Sequence, residues 1–172
     1  MRITYLHHSC FTVEINEKVL IFDYFRGERM RECSYRGKLP DFPRDREIYV
    51  FSSHQHRDHF DMEIFRWQEI YPNIQYIMPK EMRFSDNYFK KNGIDLSVKN
   101  RIHYRKPEER LFLQGLEIET LKSTDEGVAF LITCEGQTIY HAGDLHWWHW
   151  EGEETALNAY QEETYKSQID RL

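Results

Sequence analysis

The segment Glu47–Phe60 reads EIYVFSSHQHRDHF. A short apolar run rich in β-branched and aromatic residues, bounded by polar ones, predicts a buried strand. This one runs straight into His54, His56, Asp58 and His59, three histidines and an aspartate within six positions. The whole chain has 9 histidines, so the concentration on one turn needs a reason. Loops held at strand ends carry functional groups more often than core positions do. In an extended segment, residues two apart point the same way, so His54 and His56 can face one ion together. Asp58 and His59 come after the chain turns, facing a second ion or the far side of the first. Neutral imidazole is a good ligand for Zn²⁺ and other first-row divalent metals, and carboxylate is a harder one. A polar turn whose histidines cap or hydrogen-bond is the plainer reading, and the density of donors in a set pattern favours metal.

The surroundings predict sheets with helices outside them. RITYLHH, FTVEIN and KVLIFDY read as strands, with NEK as a turn between the last two. Residues 25–46 are polar, with Gly27, Gly37, Pro40 and Pro43, and predict a long loop. DMEIFRWQEIY carries a helical stripe, IQYIMP a strand ended by Pro79, and KEMRFSDNYFKKNG a helix ended by Gly93. Strand signals return in RIHYRK, RLFLQG, LEIETLKS, GVAFLITCEG and TIYHAG, with CEGQ as a hairpin turn. The tail EETALNAYQEETYKSQIDRL predicts a helix with a thin apolar stripe at 157, 160, 165, 169 and 172. No linker divides this order, so one mixed α/β domain over residues 1–172 is expected.

Composition narrows the partners. A formal net charge of −6 disfavours nucleic acid and anionic membrane as partners. Arg26, Arg29, Arg31, Arg36, Lys38, Arg44 and Arg46 are interleaved with acids and read as a solvated loop. Cys10, Cys33 and Cys134 are far apart and odd in number, which argues against a disulfide framework and a cysteine zinc site. There is no apolar run near 18 residues and no signal-peptide pattern, so a cytoplasmic location is expected.

SSHQHRDHFD resembles the HxHxDH signature of the metallo-β-lactamase superfamily. YLHHSCFTVEINEKVLIFDY resembles the opening strands of its lactonase-like and uncharacterised hydrolase branch. GVAFLITCEGQTIYHAGDL resembles the strand pair that delivers a bridging aspartate. The resemblance implies an αβ/βα sandwich with metals at one edge between two sheets. It implies His54 and His56 on a first metal, Asp58 and His59 on a second, and Asp144 bridging both. Asp23, at the end of the third strand, matches an aspartate that orients the metal loop. In such a site two ions about 3.5–4 Å apart share a hydroxide that attacks the scissile carbonyl or phosphoryl group. Asp58 and Asp144 are then the catalytic carboxylates, and Zn²⁺ is the expected ion, one or two per chain, with Mn²⁺ or Fe²⁺ as substitutes.

The pattern also breaks. LKSTDEG places Ser123, Thr124 and Asp125 where the superfamily has a histidine, and a later histidine strand has no counterpart before Leu172. His8, Asp125 and His141 are the substitutes on offer, each with an ordinary polar role as its alternative. The expected fold is therefore of the metallo-β-lactamase type with an incomplete second half, C-terminally short. HWWHWEGE, with three of the chain's 4 tryptophans, either roofs the pocket or packs on another segment or subunit. His103, His146 and His149 read as packing or rim groups. The leading functional expectation is a metal-dependent hydrolase of a small molecule, a lactone, ester or phosphorylated sugar derivative. The other is a catalytically degenerate member acting as a binding or assembly module. An uncovered sheet and the tryptophans lead to an expected homo-oligomer.

Overall fold

Two two-residue turns fold the N-terminus back on itself. β1 (Arg2–His7), β2 (Cys10–Ile15) and β3 (Lys18–Phe22) pair antiparallel, with Asn16 in the second turn at φ 50°. Asparagine tolerates that left-handed conformation. The computed structural model describes residues 1–26 and 37–172. Arg29, Arg31, Cys33 and Arg36 lie outside the described residues, and residues 37–46 carry no helix or strand, as the sequence predicts.

β4 (Glu47–Phe51) joins β3 in parallel, and β5 (Gln75–Pro79) joins β4 in parallel. β6 (Ile102–Arg105) closes a six-stranded sheet of order β1-β2-β3-β4-β5-β6. Phe11, Phe22 and Phe51 fall in register across β2, β3 and β4, and their rings stack at 4.8 and 5.0 Å. The parallel run aims the carboxyl ends of β3, β4 and β5 at one sheet edge, the usual place for a ligand in parallel sheets.

One sheet face supplies Val19, Ile21, Ile48, Val50, Tyr76 and Met78 to a core completed by Ile64, Phe65, Phe89 and Val98. The stripe after the histidines is a 3₁₀ helix, Met62–Glu69, rather than an α-helix. Its ends are closed by i→i+3 bonds, Ile64 N–H to Asp61 O and Ile70 N–H to Trp67 O. Phe65 on this helix meets Tyr76 at 5.1 Å and Phe89 at 5.3 Å, ring centre to ring centre, which fixes the helix beside the histidine turn. The helix expected over 80–93 is shorter. The Ser85 hydroxyl accepts the Tyr88 N–H and starts α1 at Asp86, so α1 is Asp86–Lys91. A second 3₁₀ helix, Leu96–Arg101, is capped by Asp95 and has no counterpart in the sequence reading.

By contact density the chain divides into compact units Met1–Tyr104 and Arg105–Leu172. The second holds an antiparallel sheet of order β10-β9-β8-β7, with β7 at Arg110–Leu113, β8 at Leu116–Lys122, β9 at Val128–Cys134 and β10 at Gln137–His141. The β9–β10 turn is the predicted one. Glu135 and Gly136 stand at φ 50° and 73°, the two positive values a type I′ hairpin needs.

α2 (Thr155–Ile169) buries Gln161, Thr164 and Gln168, while Leu157, Tyr160 and the following Leu172 are exposed. Of the apolar stripe expected at 157, 160, 165, 169 and 172, Tyr165 and Ile169 pack against Leu121, Ala129 and Leu145, while 157, 160 and 172 face solvent. On the β7 side of β8, pairing runs to Glu119 and residues 108–109 continue it on Thr120, which leaves the Lys122 N–H at the end of that edge to be covered. The Gln168 side chain accepts the Lys122 N–H at 2.9 Å and donates to Glu108 at 3.2 Å. A polar helix face satisfies backbone that an apolar face would leave unpaired.

Gly37 N–H donates to Leu6 O at 2.6 Å, and a Cβ at Gly37 would lie 2.9 Å from Leu6 Cα and Tyr5 O. Backbone cannot yield there, so Gly37→Ala is expected to destabilise the chain by about 1–3 kcal/mol. That corresponds to a melting temperature lower by about 2–10 °C. An unchanged thermal transition would show that residue 37 does not pack against β1.

Candidate metal centre

Asp23 follows β3 directly, at φ 45°, with its N–H bonded to Phe51 O at 2.9 Å. Its carboxylate is fully buried. It accepts the Ser53 N–H at 2.7 Å, the Ser53 hydroxyl at 2.7 Å and His59 Nδ1–H at 2.8 Å. Burying a carboxylate is costly unless its lone pairs are matched, and here three donors converge on it. All three come from the loop after β4. The loop closes on itself through a His59 N–H to His56 O bond of 3.0 Å, so HQHRDH is a tight turn. The turn gathers the rings: His54 lies 4.6 Å from His56, edge to face, and 4.1 Å from His59, tilted by 40°.

These bonds decide which ring nitrogens carry protons. A carboxylate only accepts, so His59 donates from Nδ1, and the neutral ring then holds its lone pair on Nε2. The Ser53 hydroxyl has one proton and gives it to Asp23. The 2.9 Å contact between Ser53 Oγ and His54 Nδ1 must then be a donation from His54. His54 also keeps its lone pair on Nε2. One carboxylate thus sets two histidines in the form that binds a metal ion. Asp23 is the strand-end aspartate expected to orient the loop. Ser53 was not singled out by the sequence reading, and its signal was its place immediately before His54.

Asp58 sits with 28% of its side chain exposed, 3.9 Å from His59 Nε2 and 3.3 Å from His8 Nε2. His8, Asp58 and His59 offer donor atoms all within 4.8 Å of one another. This donor set, two imidazoles and a carboxylate, suits a first-row divalent ion. Asp61, the last residue of SSHQHRDHFD, has a different task. Its buried carboxylate caps the 3₁₀ helix through Glu63 N–H and holds Arg26 Nε at 2.8 Å. Cys10, buried in β2, is not a thiolate donor: burial, and then the nearby Asp23 charge, push its thiol well up.

In the second unit, the residues standing where a histidine is expected hold loops together. The Thr124 hydroxyl donates to His146 O at 2.7 Å and accepts the His146 N–H at 2.9 Å. It also lies 3.2 Å from Asp144 O. Ser123 Oγ accepts the Asp125 N–H at 3.1 Å. Thr124 therefore ties the loop of Asp125 to the loop of Asp144, a role the sequence reading did not assign. Asp144 is half-buried and Asp125 exposed. His141 is buried at the end of β10, opposite Phe130 in the β9 register. Trp147 stacks on Tyr165 of α2 at 6.3 Å with the Lys166 ammonium over its ring, and Trp148 stacks on Trp150 at 5.7 Å.

A family profile described as the beta-lactamase superfamily domain matches residues 2–158. The chain belongs to this family. Among curated relatives, a UPF0173 metal-dependent hydrolase of Methanosarcina barkeri is 28% identical over 84% of this chain and 61% of its own length. A UPF0173 metal-dependent hydrolase of Alkaliphilus metalliredigens is 28% identical over 84% of this chain and 63% of its own length. The chain thus spans less than two thirds of these relatives. A solved structure of the same fold is CmlA, a diiron β-hydroxylase from Streptomyces venezuelae, with TM-score 0.57 and 15% identity over 83% of this chain and 29% of that one. The mixed α/β, metallo-β-lactamase type of fold expected from the sequence is the fold found. No described helix is long and apolar enough to cross a membrane.

Asp23→Asn keeps the size and the tolerance for φ 45° but removes the charge that fixes both imidazoles. Metal affinity is expected to fall about 10–100-fold, as for other partners that orient a metal ligand. Competition with a chromophoric chelator measures it. Equal affinity in both proteins would mean that Asp23 does not govern the histidines.

Proposed function

We propose that this chain is a metal-dependent hydrolase acting on a small molecule. The observation that carries the reading is the turn His54–His59, with its imidazoles gathered and its tautomers set by Asp23. On this reading His54 and His56 would hold one ion and Asp58 and His59 a second, with Asp144 as a further carboxylate ligand. Asp125 stands in for the histidine absent at LKSTDEG. A bound divalent ion supplies Lewis acidity toward the scissile group and lowers the pKa of a coordinated water. The side chains do the rest. Asp23 and Ser53 hold His54 and His59 in register with the ion. Thr124 holds the Asp144 loop, and the Asp58 and Asp144 carboxylates orient the attacking water. Zn²⁺ fits the imidazole-rich half, and Mn²⁺ or Fe²⁺ would suit the carboxylates. A lactone, an ester or a phosphorylated sugar derivative is the substrate class proposed, in the reducing interior of the cell.

A second reading is a binding or assembly module that keeps the fold without turnover. Ser123, Thr124 and Asp125 in place of a histidine favour it. Exposed Trp147, Trp150 and Tyr160 favour self-association under either reading, and light scattering tests that.

Protein stripped with chelator and reloaded with Zn²⁺ or Mn²⁺ is expected to hydrolyse a member of a lactone, ester and phosphoester panel, and the stripped protein none. Asp144→Asn is expected to lower turnover at least about 100-fold while metal affinity falls far less. Metal bound without turnover on any panel member would favour the binding module. Equal turnover with and without metal would overturn the hydrolase reading.

A further inference from the structure

We infer that His8 is a metal ligand, and that His8, Asp58 and His59 form a three-donor site built wholly within residues 1–104. The inference rests on the proposal that the histidine turn binds metal, and it adds a residue from a different part of the chain. His8 belongs to the turn between β1 and β2, fifty residues before Asp58.

Distances support a shared ion. Bonds of about 2.1 Å in a tetrahedral arrangement hold donor atoms about 3.4 Å apart. His8 Nε2 and Asp58 Oδ2 are 3.3 Å apart, and Asp58 Oδ2 and His59 Nε2 are 3.9 Å apart. The His8 and His59 rings meet at 5.2 Å with planes 77° apart, so they approach one point from different directions. The hydrogen bond between His59 Nδ1 and Asp23 also turns the ring so that Nε2 lies 3.9 Å from the Asp58 carboxylate.

The backbone adds an independent sign. His8 stands at φ 46°, where glycine or asparagine suits a two-residue turn better. A strained residue held in place by rigid neighbours is a reason to look for function. The neighbours here are β1 and β2, in antiparallel register up to the His7–Cys10 pair. His8 has 38% of its side chain exposed and Asp58 28%, so the trio opens to solvent.

His8→Asn tests this, because asparagine accepts the left-handed turn but cannot supply the imidazole. Chelator-stripped full-length chain is titrated with Co²⁺, read by its d–d absorption and by competition with a chromophoric chelator. Wild type is expected to bind. His8→Asn is expected to bind the ion of this site about a hundredfold or more weakly, beyond the effect of losing a residue that merely orients a ligand. His103→Asn, on β6 and outside every proposed ligand set, is expected to leave that ion's affinity unchanged. In Co²⁺-loaded protein, the hyperfine-shifted imidazole N–H resonances of wild type should outnumber those of His8→Asn by one. If stripped His8→Asn melts well below wild type, Asp58→Asn replaces it from the other side of the trio. No Co²⁺ binding by wild type would overturn the metal reading as a whole. Binding by wild type and His8→Asn with equal affinity and equal numbers of shifted resonances would overturn the role of His8 alone.

Discussion

The site depends on one buried carboxylate. Asp23 is fully buried, and its oxygens take a backbone N–H, a hydroxyl and an imidazole N–H from the single loop that follows β4. Removing one partner of such a set would leave the charge uncompensated in a low-dielectric interior, which costs far more than the bonds gain individually. The loop therefore has one arrangement. The parallel pairing of β3 with β4 places Asp23 beside the start of that loop, and its own N–H bond to Phe51 closes the junction. Sheet topology, loop conformation and ring tautomers follow from the same few atoms.

The second unit meets a similar problem with neutral groups. β8 pairs with β9 along its whole length, but its other edge runs past the end of β7, and the Gln168 side chain accepts the Lys122 N–H there. Thr124 plays the corresponding part for the loops carrying Asp125 and Asp144. In both units, polar side chains that look unremarkable in sequence hold the groups that look functional.

The hairpins and the motif were legible because their signals are local. Alternation marks β8, the Glu135-Gly136 pair marks a type I′ turn, and the spacing of His54, His56, Asp58 and His59 marks a tight turn that gathers their side chains. The 3₁₀ geometry of 62–69 was not legible, since a short apolar stripe fits a three-residue or a 3.6-residue turn equally well. Ser85 split one expected helix because a cap outweighs the propensity of the residues before it. The inward face of α2 was legible in part: Tyr165 and Ile169 pack inward as the stripe predicts, while burial of Gln168 follows from the Lys122 N–H it covers, which periodicity does not show. Ser53 and Thr124 were missed for a related reason: their roles are hydrogen bonds to groups set by tertiary structure.

The central claim is that Asp23, through His59 directly and through the Ser53 hydroxyl to His54, leaves both imidazoles with Nε2 unprotonated before any metal binds. Long-range ¹H–¹⁵N correlation spectra of chelator-stripped, ¹⁵N-labelled protein near neutral pH read this directly. The account predicts that His54 and His59 each show a protonated Nδ1 and a pyridine-like Nε2. Either residue with the proton on Nε2 and a bare Nδ1 would contradict it.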